Sequence, residues 1–179
     1  MSERKRIYLC LAHMSGKEQQ YIQEAFDSNW VVPLGPNVNA FENDLQLFVG
    51  QNKQVVALSS GTAAVHLALI ACGVKARDEV CVQSFTFCAS SNPITYLGAT
   101  PVFIDSEKES WNMDPALLEQ AIIDRKAITG HYPKAIIVVA LYGMPYRIEE
   151  IMAIANRYHI PVIEDAAEGL GARYKGQVL

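Results

Sequence analysis

The sequence predicts an α/β fold in which a mostly parallel sheet is covered by helices on both faces. Two observations predict it. From residue 55 onward short apolar runs alternate with longer helical stretches, and the runs are apolar at nearly every position instead of every second one. Strands that are apolar on both sides belong to sheets buried on both sides. With 179 residues, 50% of them hydrophobic, the chain is long enough for one domain with a core and too apolar for disorder.

The elements follow in order. Ile7 to Ala12 is an apolar run behind Arg4-Lys5-Arg6 that closes after six residues at His13. A signal peptide needs roughly 7–15 apolar residues and a cleavage site, so the run reads as a buried segment. Ser15-Gly16-Lys17-Glu18 has capping-box spacing and starts a helix towards Ser28. Trp30 to Val38, with Pro33, Gly35 and Pro36, is irregular, and Asn39 with Glu42 opens a second helix towards Gly50. Val55 to Leu58 reads as a buried strand, and Thr62 to Cys72 as a helix stopped by Gly73. Glu79 to Val82 is a strand, Thr86 to Leu97 a helical stretch bent at Pro93, and Pro101 to Ile104 a strand. Asp114-Pro115 starts a helix with Asp as cap and Pro in the first turn. Ala135 to Ala140 is a strand, Ile148 to Tyr158 an amphipathic helix, and Pro161 to Ile163 a strand.

Composition narrows the function. Fifteen basic and 19 acidic residues give a net charge of −4 without a basic stripe, which argues against nucleic acid. No apolar run approaches the ~20 residues of a membrane span. Cys10, Cys72, Cys81 and Cys88 form no C-x-x-C pair and have apolar neighbours, as expected of reduced, mostly buried thiols in a cytoplasmic protein.

In such sheets ligands bind beyond the carboxyl ends of the strands. After Leu58, Ser59-Ser60-Gly61-Thr62 leads into a helix, either as a polar cap or as an anion site built from free N–H groups. After Val82 come Phe85 and Phe87, which are core residues or a cover for a flat ring. After Ile163, Glu164-Asp165 ends a buried strand, where an acidic pair needs a cation, a metal or a capping role. No histidine stands at ligand spacing from that pair, so no metal site is expected. Neither G-x-G-x-x-G after a strand nor G-x-x-x-x-G-K-[ST] is present. A phosphate site, an aromatic cover and an aspartate at three strand ends suit a phosphorylated, protonatable heterocycle such as pyridoxal phosphate (PLP).

The chain resembles the N-terminal part of the DegT/StrS-type family of PLP-dependent sugar aminotransferases. The resemblance rests on Leu34-Gly35-Pro36-Asn37-Val38 with Phe41-Glu42, on Ser60-Gly61-Thr62-Ala63-Ala64-Val65-His66-Leu67-Ala68-Leu69, and on Ser84-Phe85-Thr86-Phe87. It continues through Leu97-Gly98-Ala99-Thr100-Pro101-Val102-Phe103-Ile104-Asp105, Leu141-Tyr142-Gly143 and Glu164-Asp165-Ala166-Ala167-Glu168-Gly169-Leu170-Gly171-Ala172. The opening from His13 to Glu18 and the Ser28 to Gly35 stretch are similar to members that aminate UDP-4-keto-6-deoxy-N-acetylhexosamine on the way to bacillosamine-type sugars.

The resemblance implies the large domain of PLP fold type I, with residues 1–50 as N-terminal helices and a substrate-proximal loop and 51–179 as the strand–helix core. It implies that Ser60, Gly61 and Thr62 bind the cofactor phosphate, Phe87 stacks on the ring, Asp165 pairs with the ring nitrogen and Glu168 bonds near the ring hydroxyl. Asp165 and Glu168 are the implied catalytic pair. Many relatives carry Gln at the position of Glu168 and His at that of Ala140. It further implies glutamate as amino donor, a homodimer and a role in glycan and polysaccharide biosynthesis. The family's Schiff-base lysine lies beyond the Glu-Asp-Ala-Ala stretch, and no lysine here has that context, so these residues alone are expected not to turn over. A sugar dehydratase of the same family with histidine in place of the lysine, and a non-catalytic binding module of the same fold, are the alternatives. As an incomplete copy of the domain, the chain is expected to leave apolar strand faces, such as those of Val55, Val80, Ile137 and Val162, and one sheet edge uncovered.

Overall fold

The computed structural model describes residues 6–8, 12–50 and 52–179, which fall into two compact units, Met1–Ala57 and Leu58–Leu179. The first unit holds two helices, α1 (Glu18–Asp27) and α2 (Pro36–Val49). Glu18 accepts from the Ser15 and Gly16 N–H groups at 2.6 and 2.9 Å, so the acidic half of the capping box forms. The Ser15 side chain does not cap the helix, which begins at Glu18. Helix α2 starts at Pro36, three residues before the Asn39 start expected, because proline at the first helical position costs no hydrogen bond. Neither helix buries a residue fully within the described chain. Ile7 and Tyr8 are exposed, at 94% and 55%, which overturns the expectation of a buried segment there; Leu9 to Leu11 lie outside the described residues.

Val55 to Leu58 forms no strand. The run is extended but finds no sheet edge among the described residues, and Val56 is 69% exposed. A strand is defined by its partner, and a four-residue apolar run carries no information about one.

The second unit is the α/β sheet. Helix α3 (Gly61–Ala71) precedes strand β1 (Glu79–Gln83), a 3-10 turn (Cys88–Ser90), helix α4 (Asn92–Tyr96) and strand β2 (Thr100–Ile104). Helix α5 (Pro115–Thr129), strand β3 (Ala135–Val139), a second 3-10 turn (Leu141–Gly143), helix α6 (Ile148–Tyr158) and strand β4 (Val162–Asp165) follow. The strands form one parallel sheet in the order β2-β1-β3-β4. The helical stretch expected from Thr86 to Leu97 is split, with Pro93 at the start of α4, where its missing N–H is harmless. A short hairpin, β5 (Arg173–Tyr174) and β6 (Gln177–Val178), closes the chain as a separate sheet.

Both faces of the sheet are covered. Leu118 and Ile122 of α5 and Ile151, Ile154 and Ala155 of α6 pack with Cys81, Ile136 and Val138 on one side. Val65 and Leu69 of α3 and Ile94 of α4 pack with Val80, Val82, Ile137 and Ile163 on the other. Val80 and Ile137 are fully buried, whereas Val55 and Val162 are half-buried, so the expected open strand faces are not found at the first two. Apolar surface stays open elsewhere, at Phe103 on the β2 edge and at Leu67, Ile70 and Ile123 on helix backs. No helix among the described residues is long and apolar enough to cross a membrane. An Arg125–Glu79 pair, with contacts of 2.9 and 2.6 Å, ties α5 to the start of β1.

Among the described cysteines none is disulfide-bonded, but Cys88 is exposed and Cys72 half-buried, so only Cys81 meets the expectation of burial. Burial pushes the Cys81 thiol up to about 12. At neutral pH a thiol reagent is therefore expected to label Cys88 rapidly and to leave Cys81 unmodified until the protein unfolds. Peptide mapping after labelling checks it, and early modification of Cys81 would contradict the buried setting.

Candidate functional site

The sequence-predicted residues gather at the carboxyl ends of the strands. Gly73, just past the end of α3, sits within 3.7 Å (measured from a Cβ built on it) of the Lys134 side chain, which immediately precedes β3. The foot of α3 is thus at the amino ends of the strands. Eleven residues rise roughly 16 Å, which carries its first turn to the carboxyl ends. There Asp165 ends β4 and the Ser84–Phe87 loop leaves β1. Helix α3 packs against both β4 and the 3-10 turn at Cys88–Ser90.

Ser60 caps α3, its side-chain oxygen accepting from the Ala63 N–H at 3.2 Å. The Ala64 N–H bonds to the Ser60 carbonyl at 3.1 Å. The Gly61 and Thr62 amides then have no partner among the described residues, and a Cβ built on Gly61 would meet nothing within 4 Å. Two free donors at the positive end of a helix, with open space before them, form an anion cradle. Ser60→Ala is expected to cost ~1 kcal/mol of stability through the lost cap. It should also weaken phosphate-dependent cofactor binding. Thermal melts with and without PLP measure both, and a variant with unchanged melting would remove the cap from the argument.

Asp165 is half-buried and held from two sides. The Ser90 hydroxyl donates to Oδ2 at 2.6 Å and the Ala167 N–H to Oδ1 at 3.2 Å. Ser90 is 1% exposed, and its oxygen lies 2.9 Å from the Thr86 hydroxyl. Since Ser90 spends its only proton on the carboxylate, Thr86 is the donor in that second bond. A carboxylate offers about four lone-pair sites, so two bonds fix its orientation and leave it able to face a further donor. Phe87, one residue from Thr86, is 76% exposed, an unburied ring beside this relay.

Glu168 follows β4 and is exposed; its Oε2 accepts from the Tyr142 N–H at 2.5 Å. Tyr142 lies in the turn after β3 at φ 51°, ψ 28°. The structure therefore brings together Asp165, Ser90 and Thr86 directly, and Glu168 with Tyr142. No hydrogen bond links Phe87 or Thr62 to Asp165 among the described residues. Ser90 carries no motif signal of its own, and Tyr142 only that of the Leu141-Tyr142-Gly143 stretch, which says nothing of a bond to Glu168. Among the described residues no cluster of His, Cys, Asp or Glu could hold a metal ion.

The donor set fits a phosphorylated aromatic cation: free amides for the phosphate, an oriented carboxylate for a ring N–H and an exposed ring for stacking. Comparison with known proteins agrees. The model of the DegT/DnrJ/EryC1/StrS aminotransferase family matches residues 12–179. EpsN of Bacillus subtilis (strain 168), which its name assigns to the pyridoxal phosphate-dependent aminotransferases, is 55% identical over 97% of this chain and 44% of its own length. A GDP-perosamine synthase of Escherichia coli O157:H7 is 42% identical over 92% of this chain and 43% of its own. The PLP-form structure of Spr1654 from Streptococcus pneumoniae, titled a sugar aminotransferase, superimposes with a TM-score of 0.75 at 31% identity, covering 89% of this chain and 43% of that one. The chain thus spans under half the length of these relatives.

Proposed function

Since the chain belongs to the DegT/DnrJ/EryC1/StrS aminotransferase family, whose cofactor is pyridoxal phosphate, we propose that it serves as the cofactor-holding part of an enzyme that aminates a nucleotide-linked keto sugar. Bound PLP would supply an electron sink for moving an amino group between carbon centres. Every other contribution falls to the residues of the site. The Gly61 and Thr62 amides hold the phosphate, and Phe87 covers one ring face. Asp165 keeps the ring nitrogen protonated, because a carboxylate beside a basic nitrogen favours its charged form. Glu168 meets the ring near its hydroxyl. The observation that carries this reading is Asp165, oriented by Ser90 at 2.6 Å at the end of β4 with acceptor capacity to spare.

The substrate we assign is UDP-4-keto-6-deoxy-N-acetylhexosamine with glutamate as donor, acting in a homodimer. The support is the opening motif; a relative named for a GDP-sugar product makes the nucleotide the part to test. PLP is titrated into the protein and followed by absorbance, then UDP- and GDP-linked 4-keto sugars are offered with glutamate to the complete enzyme, the Schiff-base lysine included. Saturable binding and amination of the UDP-sugar are the expected results. Absence of PLP binding overturns the cofactor assignment, and preference for the GDP-sugar overturns the nucleotide.

A further inference from the structure

Two side chains outside that set stitch the strand-end loops together. Gln83 and Asn112 are both fully buried, at 0% exposure. Gln83 donates from Nε2 to the Phe85 carbonyl at 2.9 Å and accepts at Oε1 from the Met113 N–H at 2.8 Å. Asn112 donates from Nδ2 to the Met144 carbonyl at 2.9 Å and accepts at Oδ1 from the Leu141 N–H at 3.1 Å. Gln83 Nε2 lies 3.4 Å from the same Asn112 oxygen. One amide pair thereby joins the loop after β1, the loop after β2 and both flanks of the turn after β3.

That turn carries Tyr142 in the left-handed region, where a non-glycine residue persists only if its surroundings hold it. Its N–H is the group that donates to Glu168. A buried amide with every partner in place is stabilising in any protein. Here, however, the bonds run in series from Gln83 through Asn112 to the Tyr142 turn, and from there to the carboxylate after β4.

We propose that Gln83 and Asn112 are positioning residues for Glu168: by clamping Leu141 and Met144 they hold the Tyr142 amide where it fixes the Glu168 carboxylate. The link from Glu168 to the cofactor rests on the function proposed above, while the link from the amide pair to Glu168 does not. Asn112→Asp keeps the acceptor for Leu141 and loses the donor to Met144. Gln83→Met keeps the bulk and loses all three of its bonds.

Two measurements test the proposal. In the full chain, the Tyr142 amide proton is followed by NMR and by hydrogen exchange. In the parent its resonance is expected downfield, as for an N–H donating to a carboxylate, and Glu168→Gln is expected to move it. Each amide variant is expected to return the resonance towards an ordinary amide position and to speed its exchange at least about tenfold. Ile122→Ala, a core change in α5, is expected to lower stability without moving it. If both amide variants leave the Tyr142 amide unchanged, or Ile122→Ala moves it as far, the clamp is wrong; should one variant fail to fold, the other decides. The second measurement is PLP affinity by absorbance. Asn112→Asp should weaken it about tenfold with Glu168 present and less than about twofold in a Glu168→Gln background. Equal losses in both backgrounds overturn the positioning role, and absence of PLP binding in the parent overturns the proposed function while the amide test still decides the clamp.

Discussion

In the complete enzyme, Asp165→Asn is expected to leave PLP bound while lowering the single-turnover rate of amination by roughly 10²–10³-fold, the range seen when one preorganised electrostatic partner is removed. The substitution is nearly isosteric. Its amide oxygen can still accept from the buried Ser90 hydroxyl. What disappears is the negative charge that, on the proposed reading, would face the ring nitrogen. A neutral amide would no longer favour the protonated ring, so bound PLP would be a poorer electron sink while its phosphate and stacking contacts stay. Binding and chemistry should therefore separate. A fall in PLP affinity with an unchanged single-turnover rate would reverse the assignment and make Asp165 a binding residue. Ser90→Ala should follow in the same direction with a smaller effect, because the carboxylate keeps its charge and its Ala167 contact but loses its aim.

The sheet was legible because its strands carry their own evidence. Ala135 to Val139 is buried at every position, as its unbroken apolar run requires. Helix α6 runs over Ile148–Tyr158 with the boundaries its periodicity predicts, since one face meets the core through Ile151, Ile154 and Ala155. Asp114 caps α5 by accepting from Ala116 and Leu117, the arrangement that Asp-Pro announces. The failures have physical reasons. Val55 to Leu58 has the apolar pattern of a strand without a partner, and pairing depends on residues elsewhere. The β5–β6 hairpin has strands of only two residues, too short for a period to show, and its one local signal is Lys175 and Gly176, both at positive φ in a two-residue turn. Of the site, Asp165 and the α3 cap could be read from position at strand ends. Gln83 and Asn112 could not, since a buried amide is indistinguishable in sequence from a loop amide until its partners are known.

Gly169→Ala is expected to destabilise the fold by roughly 1–3 kcal/mol, the range for overpacking a filled site. A Cβ built on Gly169 falls 2.9 Å from the Ala140 Cβ, and 3.5 Å from both the Ala166 Cβ and a Leu179 methyl. Ala140, the nearest of the three, is fully buried just after β3 and has no flexible tip with which to yield. This contact accounts for glycine at position 169 in this chain, because any Cβ there would drive the segment after β4 away from Ala140. Ala140→Gly empties the space that Gly169→Ala fills. The double variant should therefore melt well above the sum of the two single losses, with a coupling of about 1 kcal/mol or more. Glu168 precedes Gly169, so the single variant should also disturb the Tyr142–Glu168 bond, and the double variant should restore it. Denaturant titrations of the four proteins give the coupling, and strictly additive losses would show that the segment accommodates the methyl by moving as a whole.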